Sequence, residues 1–85
     1  MKFELFTENL NKATLIALTS QLFENATFID TLGVYKGVPE DGLIITIIAP
    51  ESDRSAIQSL ARDIKEMNKQ ESVLVVETPV SYNLI

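Results

Sequence analysis

Polar and apolar residues alternate from Lys2 to Phe6, which predicts a short strand with Phe3 and Leu5 on one face. A helix is expected over residues 10–23. Leu15, Leu18 and Leu22 recur there at i, i+3 and i+7, and Ile16 and Phe23 widen the stripe. Thr7 or Asn9 offers its N-cap, with Glu8 suited to the positive helix end, and Asn25 marks a stop. Residues 27–36 are rich in β-branched and aromatic types and predict a second strand. The segment 37–42 reads as a turn, because Pro39 fixes φ and Asp41-Gly42 suits a positive φ. Leu43 to Ala49 follows as a third strand, paired to the second as a hairpin and ended by Pro50.

The cleanest helical stripe is Ile57, Leu60, Ala61, Ile64 and Met67, opening at Ser52 or Asp53. Arg54, Arg62, Lys65, Glu66 and Lys69 fall on its outer face. Ser72 to Thr78 predicts the last strand, closed by Pro79, and a short apolar tail follows. The order is strand, helix, strand, strand, helix, strand. One domain over residues 1–85 is expected, an α+β ferredoxin-like βαββαβ sandwich with an antiparallel sheet and two helices on one face. The alternative is an open sheet whose first strand stays unpaired.

Strands three and four break the alternation expected of a sheet with one wet face. Leu43 to Ile48 is apolar on both faces except at Thr46, and Val73 to Val76 is apolar throughout. Either loops and the tail cover the second face, or another subunit does, since a bare apolar face invites aggregation. A chain of 85 residues without disulfide or zinc has little core to spare. A homodimer or larger ring is therefore expected, with Ile45, Ile47, Val73, Val75, Tyr82 and Leu84 as interface residues.

Composition removes much chemistry. The chain holds no Cys and no His, which excludes thiol nucleophiles, zinc sites built on those residues and imidazole general bases. Twelve acids against seven bases leave a net charge of −5. That balance opposes direct binding to a nucleic-acid backbone, which needs clustered Lys and Arg. No apolar run exceeds four residues, so no membrane span is expected, and the start lacks a secretory pattern. A cytoplasmic protein is the default. Charge is uneven: residues 24–53 hold six acids and one base, whereas residues 54–69 hold four bases and two acids.

Two segments concentrate candidate chemistry. Gly33, Tyr35, Lys36, Gly37 and Glu40 put an aromatic ring and an ammonium between glycines that permit close backbone approach. Gln70, Glu71 and Ser72 place an amide, a carboxylate and a hydroxyl between the second helix and the last strand. The ligand-binding set is thus Tyr35, Lys36, Glu40, Gln70 and Ser72. The plainer reading of the first segment is an ordinary hairpin and of the second a solvated loop. The spacing matches neither a Walker A loop nor a dinucleotide fingerprint. Glu40-Asp41 and Glu51-x-Asp53 follow no calcium-loop pattern, so no metal is expected, nor any cofactor.

The pattern Gly33-x-Tyr35-x-Gly37-x-x-Glu40, then an apolar strand, a helix and Gln70-Glu71-Ser72-Val73-Leu74, resembles small phage and prophage proteins of unknown function. It spans residues 33–74 and carries no established catalytic residues. The resemblance implies a small α+β binding protein of a mobile element, of a class that often interferes with host defence. The leading expectation is a non-enzymatic, self-associating binder that inhibits a host system by contacting a host protein. The alternatives are an oligomer that binds or sequesters a small ligand or nucleotide, and a small enzyme that works without His or Cys.

Overall fold

The computed structural model describes residues 1–85. Its elements are β1 (Lys2–Glu8), α1 (Lys12–Leu22), β2 (Thr27–Tyr35), β3 (Val38–Ile48), α2 (Arg54–Asn68) and β4 (Leu74–Thr78), with one 3₁₀ turn at Glu51–Asp53 before α2. The four strands form one antiparallel sheet in the order β2-β3-β1-β4. This is the ferredoxin-like α+β arrangement, and the first strand is central rather than unpaired. No helix is long and apolar enough to cross a membrane.

Alternation along β1 organises the core. Leu5 lies opposite Ile45 on one side and Val75 on the other. Phe3, Leu5, Leu43, Ile45 and Ile47 bury against Leu15 of α1 and against Ile57, Leu60, Ala61 and Ile64 of α2. The stripe on α2 is therefore used as its spacing dictates, with Met67 packed at the margin. Thr19 is buried too, and its hydroxyl donates to the Leu15 carbonyl at 2.8 Å. No buried side-chain polar atom lacks a partner. Arg54 ties the start of α2 to β4, donating from Nε and Nη2 to Glu77 Oε1, each at 2.7 Å.

The same parity corrects the expected interface. Ile45 and Ile47 sit in the chain's own core at 0% and 1% exposure, and Val73 and Val75 pack against that core. The outward set is the alternate one. Ile29, Ile44, Phe6 and Leu74 form one row across all four strands. Ile29 and Leu74 are 46% and 60% exposed. Tyr82 and Leu84 of the tail, the other two residues expected at an interface, are exposed.

Three boundaries also differ. Thr7 and Glu8 do not precede a helix, because they pair with Leu43 and Gly42 and extend β1. The residue before α1 is Asn11, in the left-handed region at φ 55° and without a side-chain cap. The turn is not at Asp41-Gly42. The hairpin reverses at Lys36 (φ 50°) and Gly37 (φ 79°), two successive positive values that suit a tight two-residue turn. Pairing then runs through Pro39, opposite Val34 on the edge strand, to Gly42 opposite Thr31.

Lys12 Nζ approaches Asp30 Oδ1 at 2.6 Å, joining α1 to β2. This hydrogen bond from Lys12 holds the Asp30 carboxyl below its ordinary value of 3.8. A depressed carboxyl favours the fold above its unfolded pKa, and the contribution is lost as the pH falls through the folded value. Both partners are exposed, so solvent screens the pair.

The assignment of faces is testable by equilibrium denaturation. Ile45→Ala should cost about 2–5 kcal/mol, the usual result of truncating a core aliphatic residue. Ile44→Ala, one position along the same strand, should cost less than half as much.

Candidate functional site

The open sheet face ends in a cleft of about 590 Å³, within the range of small-molecule sites. The strand order builds it. The C-terminal ends of β1 and β2, the N-terminal half of β3 and the loop entering β4 all meet at one end of the sheet. Phe6 and Leu74, which end the apolar row, contribute to its lining. Glu8, Gly42 and Thr31 form the next row, and Gly33 and Glu40 the one after. Tyr35 stands at the far end of the hairpin arm, half exposed. Gln70, Glu71 and Ser72 close the opposite side.

Four of the five residues expected to bind a ligand thus line one cavity: Tyr35, Glu40, Gln70 and Ser72. The sequence leaves open whether the hairpin and the loop before β4 share a sheet end; the register places them together. Lys36 does not line the cleft. It occupies the turn, and its Nζ lies 5.2 Å from the centre of the Tyr35 ring. Phe6, Glu8 and Thr31 were not legible as site residues. Phe6 and Glu8 alternate with buried Phe3, Leu5 and Thr7 and so fall on the open face, but that alternation becomes informative only once β1 is known to be central.

The electrostatics are one-sided. Glu8, Glu40, Asp41 and Glu71 line the cleft, and no Lys or Arg does. Such a lining attracts a cationic ligand and disfavours an anionic one. The acids do not gather into a group able to hold a metal ion. Aromatic and apolar surface from Phe6, Tyr35 and Leu74 lies beside the carboxylates, so the site suits a ligand with both a cationic centre and a flat or apolar body.

One side chain is tightly held. Gln70 Oε1 accepts from Thr7 Oγ1 at 2.8 Å, from the Glu8 backbone N–H at 3.3 Å and from Asn68 Nδ2 at 3.3 Å. Gln70 Nε2 donates to the Ser72 carbonyl at 2.8 Å. The loop is thereby fastened to the end of β1 and to itself.

Two glycines shape the cleft by different means. A Cβ at Gly33 would meet nothing within 4 Å, whereas one at Gly42 would lie 2.7 Å from Thr31 Oγ1. Gly42 therefore permits close strand packing, and Gly33 leaves space open.

No protein-family model matches the sequence, and no curated protein matches it. Among solved structures, the fold is similar to a phage SAM lyase in its apo state. The two share 26% sequence identity and a TM-score of 0.68, over 87% of this chain and 75% of that one. The likeness is to a phage protein and covers most of the chain.

Substitution at the two glycines separates their roles in a melting experiment. Gly33→Val should leave the melting temperature unchanged or raise it, with a gain of up to about 1 kcal/mol from strand preference. Gly42→Val should lower it, because crowding of Thr31 costs about 1–3 kcal/mol.

Proposed function

We propose that the cleft binds S-adenosylmethionine and promotes its cleavage, as a small phage-encoded enzyme that removes this cofactor from the host cytoplasm. The observation that carries the reading is the likeness to a phage SAM lyase over 87% of the chain. The chemistry of the cleft agrees with it. S-adenosylmethionine carries a sulfonium, an ammonium, a carboxylate and a flat adenine. Glu8 and Glu40 lie on the open face beside the aromatic ring of Tyr35. A carboxylate and a ring face are the two groups that favour a sulfonium. Phe6 and Leu74 offer apolar surface to the adenosyl portion.

Lyase chemistry fits a chain without His or Cys. The electron pair of the breaking C–S bond stays on sulfur, which leaves as a neutral thioether and needs no proton. The carbon fragment is completed within the same molecule. Its own carboxylate oxygen closes a lactone, or a neighbouring proton passes to water and an alkene forms. Because the positive charge at sulfur disappears along the reaction, Glu8 and Glu40 act in recognition. Acceleration then rests on holding the substrate folded so that the reacting atoms are aligned.

A second reading keeps the same ligand without turnover. It rests on the same lining, whose carboxylates, aromatic ring and amide suit a cationic ligand whether or not that ligand is turned over. In that case the protein sequesters the cofactor.

Incubation of the purified chain with S-adenosylmethionine, followed by mass spectrometry of the products, decides between them. Consumption with release of a thioether is expected; lactone and alkene are isomers of equal mass, so the second product is identified by its proton NMR spectrum, in which only the alkene shows vinyl signals. Tyr35→Ala and Gly33→Val should each lower kcat/KM at least tenfold while the fold persists. Tight binding without consumption would establish sequestration. Neither binding nor consumption at millimolar S-adenosylmethionine would overturn both readings.

Self-association belongs to the same proposal. The apolar row from Ile29 to Leu74 runs across the open face into the cleft. A second copy on this surface would cover the row and close the open side of the cleft. Native mass spectrometry should give an integer multiple of 9.5 kDa, and Ile44→Lys should return the protein to a monomer. A wild-type monomer at micromolar concentration would refute this arrangement.

A further inference from the structure

The hydrogen bonds behind Gln70 continue away from the cleft. Asn68 is the last residue of α2 and only 8% exposed. Its Oδ1 accepts from Asn11 Nδ2 at 3.1 Å, and its Nδ2 donates to Gln70 Oε1. Three amides thus form a line in which each NH₂ group donates to the next oxygen, from the start of α1 through the end of α2 to the cleft.

The line leaves Gln70 one orientation. A backbone N–H can only donate, so the Glu8 N–H requires the oxygen of Gln70 and not its nitrogen. Asn68 imposes the same requirement from the other side. With the Gln70 oxygen turned to the Glu8 N–H, Asn68 keeps its NH₂ toward Gln70, and its own oxygen accepts from the Asn11 NH₂. Thr7 lies within reach of both Gln70 Oε1 and the Glu8 carbonyl, and its single hydroxyl proton goes to the nearer, Gln70, at 2.8 Å rather than 3.3 Å. With its oxygen fully engaged, Gln70 has one hydrogen left. The first hydrogen on Nε2 serves the Ser72 carbonyl, and the second has no partner in the protein. Gln70 lines the cleft, so that hydrogen is available to a ligand.

We infer that Asn68 is a positioning residue. Backed by Asn11 and together with the Glu8 N–H, it holds Gln70 so that the cleft receives an amide N–H donor and not the amide oxygen. The ligand contact is therefore a hydrogen-bond acceptor: a carboxylate, a ribose hydroxyl or a ring nitrogen. In a cleft lined otherwise by acids, this donor supplies what the anionic or lone-pair side of a ligand needs. The effect on a ligand rests on the proposed binding of S-adenosylmethionine; the orientation of Gln70 does not.

Asn68→Asp tests it with almost no change in shape. The carboxylate still accepts from Asn11 but can no longer donate to Gln70. It attracts the Gln70 NH₂ instead and turns the amide over. The side-chain NH₂ signals of Gln70 in a ¹⁵N correlation spectrum should move, and the Glu8 amide should lose its acceptor. The dissociation constant for S-adenosylmethionine should rise about tenfold, the size of one net hydrogen bond. The KM should rise with it, and kcat should change less. If burial of the carboxylate unfolds the protein, Asn11→Gly removes the anchor at an exposed position that already has a positive φ, and should move the same signals in the same direction. Unchanged Gln70 and Glu8 signals in a folded variant would overturn the inference. So would moved signals with unaltered affinity, given a wild type that binds. If the wild type binds no S-adenosylmethionine, the functional reading fails, and the spectra alone decide the role of Asn68.

Discussion

The position of β1 between β3 and β4 is the constraint on which the rest depends. A strand paired on both edges cannot slip by one residue without turning its entire apolar set to the wrong face. Phe3 and Leu5 point to the helices, so their partners Ile47, Ile45 and Val75 must do so as well. The alternate residues Phe6 and Glu8 are thereby committed to the open face, where the cleft lies. Core and site are two sides of one register.

Much of the fold is legible in the residues. The stripe from Ile57 to Ile64 and the alternation in β1 each point to a single element and a single buried face. The hairpin turn was harder to place. Pro39 and Asp41-Gly42 are turn-forming residues, yet they lie within β3, because the reversal at Lys36-Gly37 sets the register and Pro39 is tolerated opposite an edge strand. Doubly apolar strands conceal their own orientation. Within Ile44 to Ile48 only Thr46, on the face of Ile44 and Ile48, points locally to Ile45 and Ile47 as the core residues. The choice is made by the strands on either side, which is why interface and core were exchanged. The site was half legible for a related reason. Tyr35, Glu40, Gln70 and Ser72 stand out by type, whereas Glu8 and Thr31 are ordinary strand residues until the sheet order brings them alongside.

The cleft concentrates opposite demands in a small space. Carboxylates recruit positive charge, the aromatic and apolar residues hold a flat body, and one oriented amide supplies a donor among acceptors. None of these groups needs to change its protonation state for a sulfonium to break down. Chemistry of that kind asks the protein for shape and orientation rather than for a proton shuttle, and a fold of this size can supply both.

The walls of the cleft are unequal in strength. β3 has a strand on each side from Gly42 to Thr46, but β4 is an edge strand of five residues that pairs with β1 alone. Beyond its ladder it is fastened by the Arg54–Glu77 pair at one end and by the Gln70 amide near the other. Segments with few buried contacts open at lower free energy than the body of a domain. Peeling of β4 would remove Leu74 and Ser72 from the cleft while the core behind β1 and β3 stayed intact. The cleft is thus bounded on one side by the shortest strand of the sheet. A ligand seated there would latch that strand in place, so that occupancy is felt first as slower amide exchange along β4 and only afterwards as greater resistance of the whole domain to unfolding.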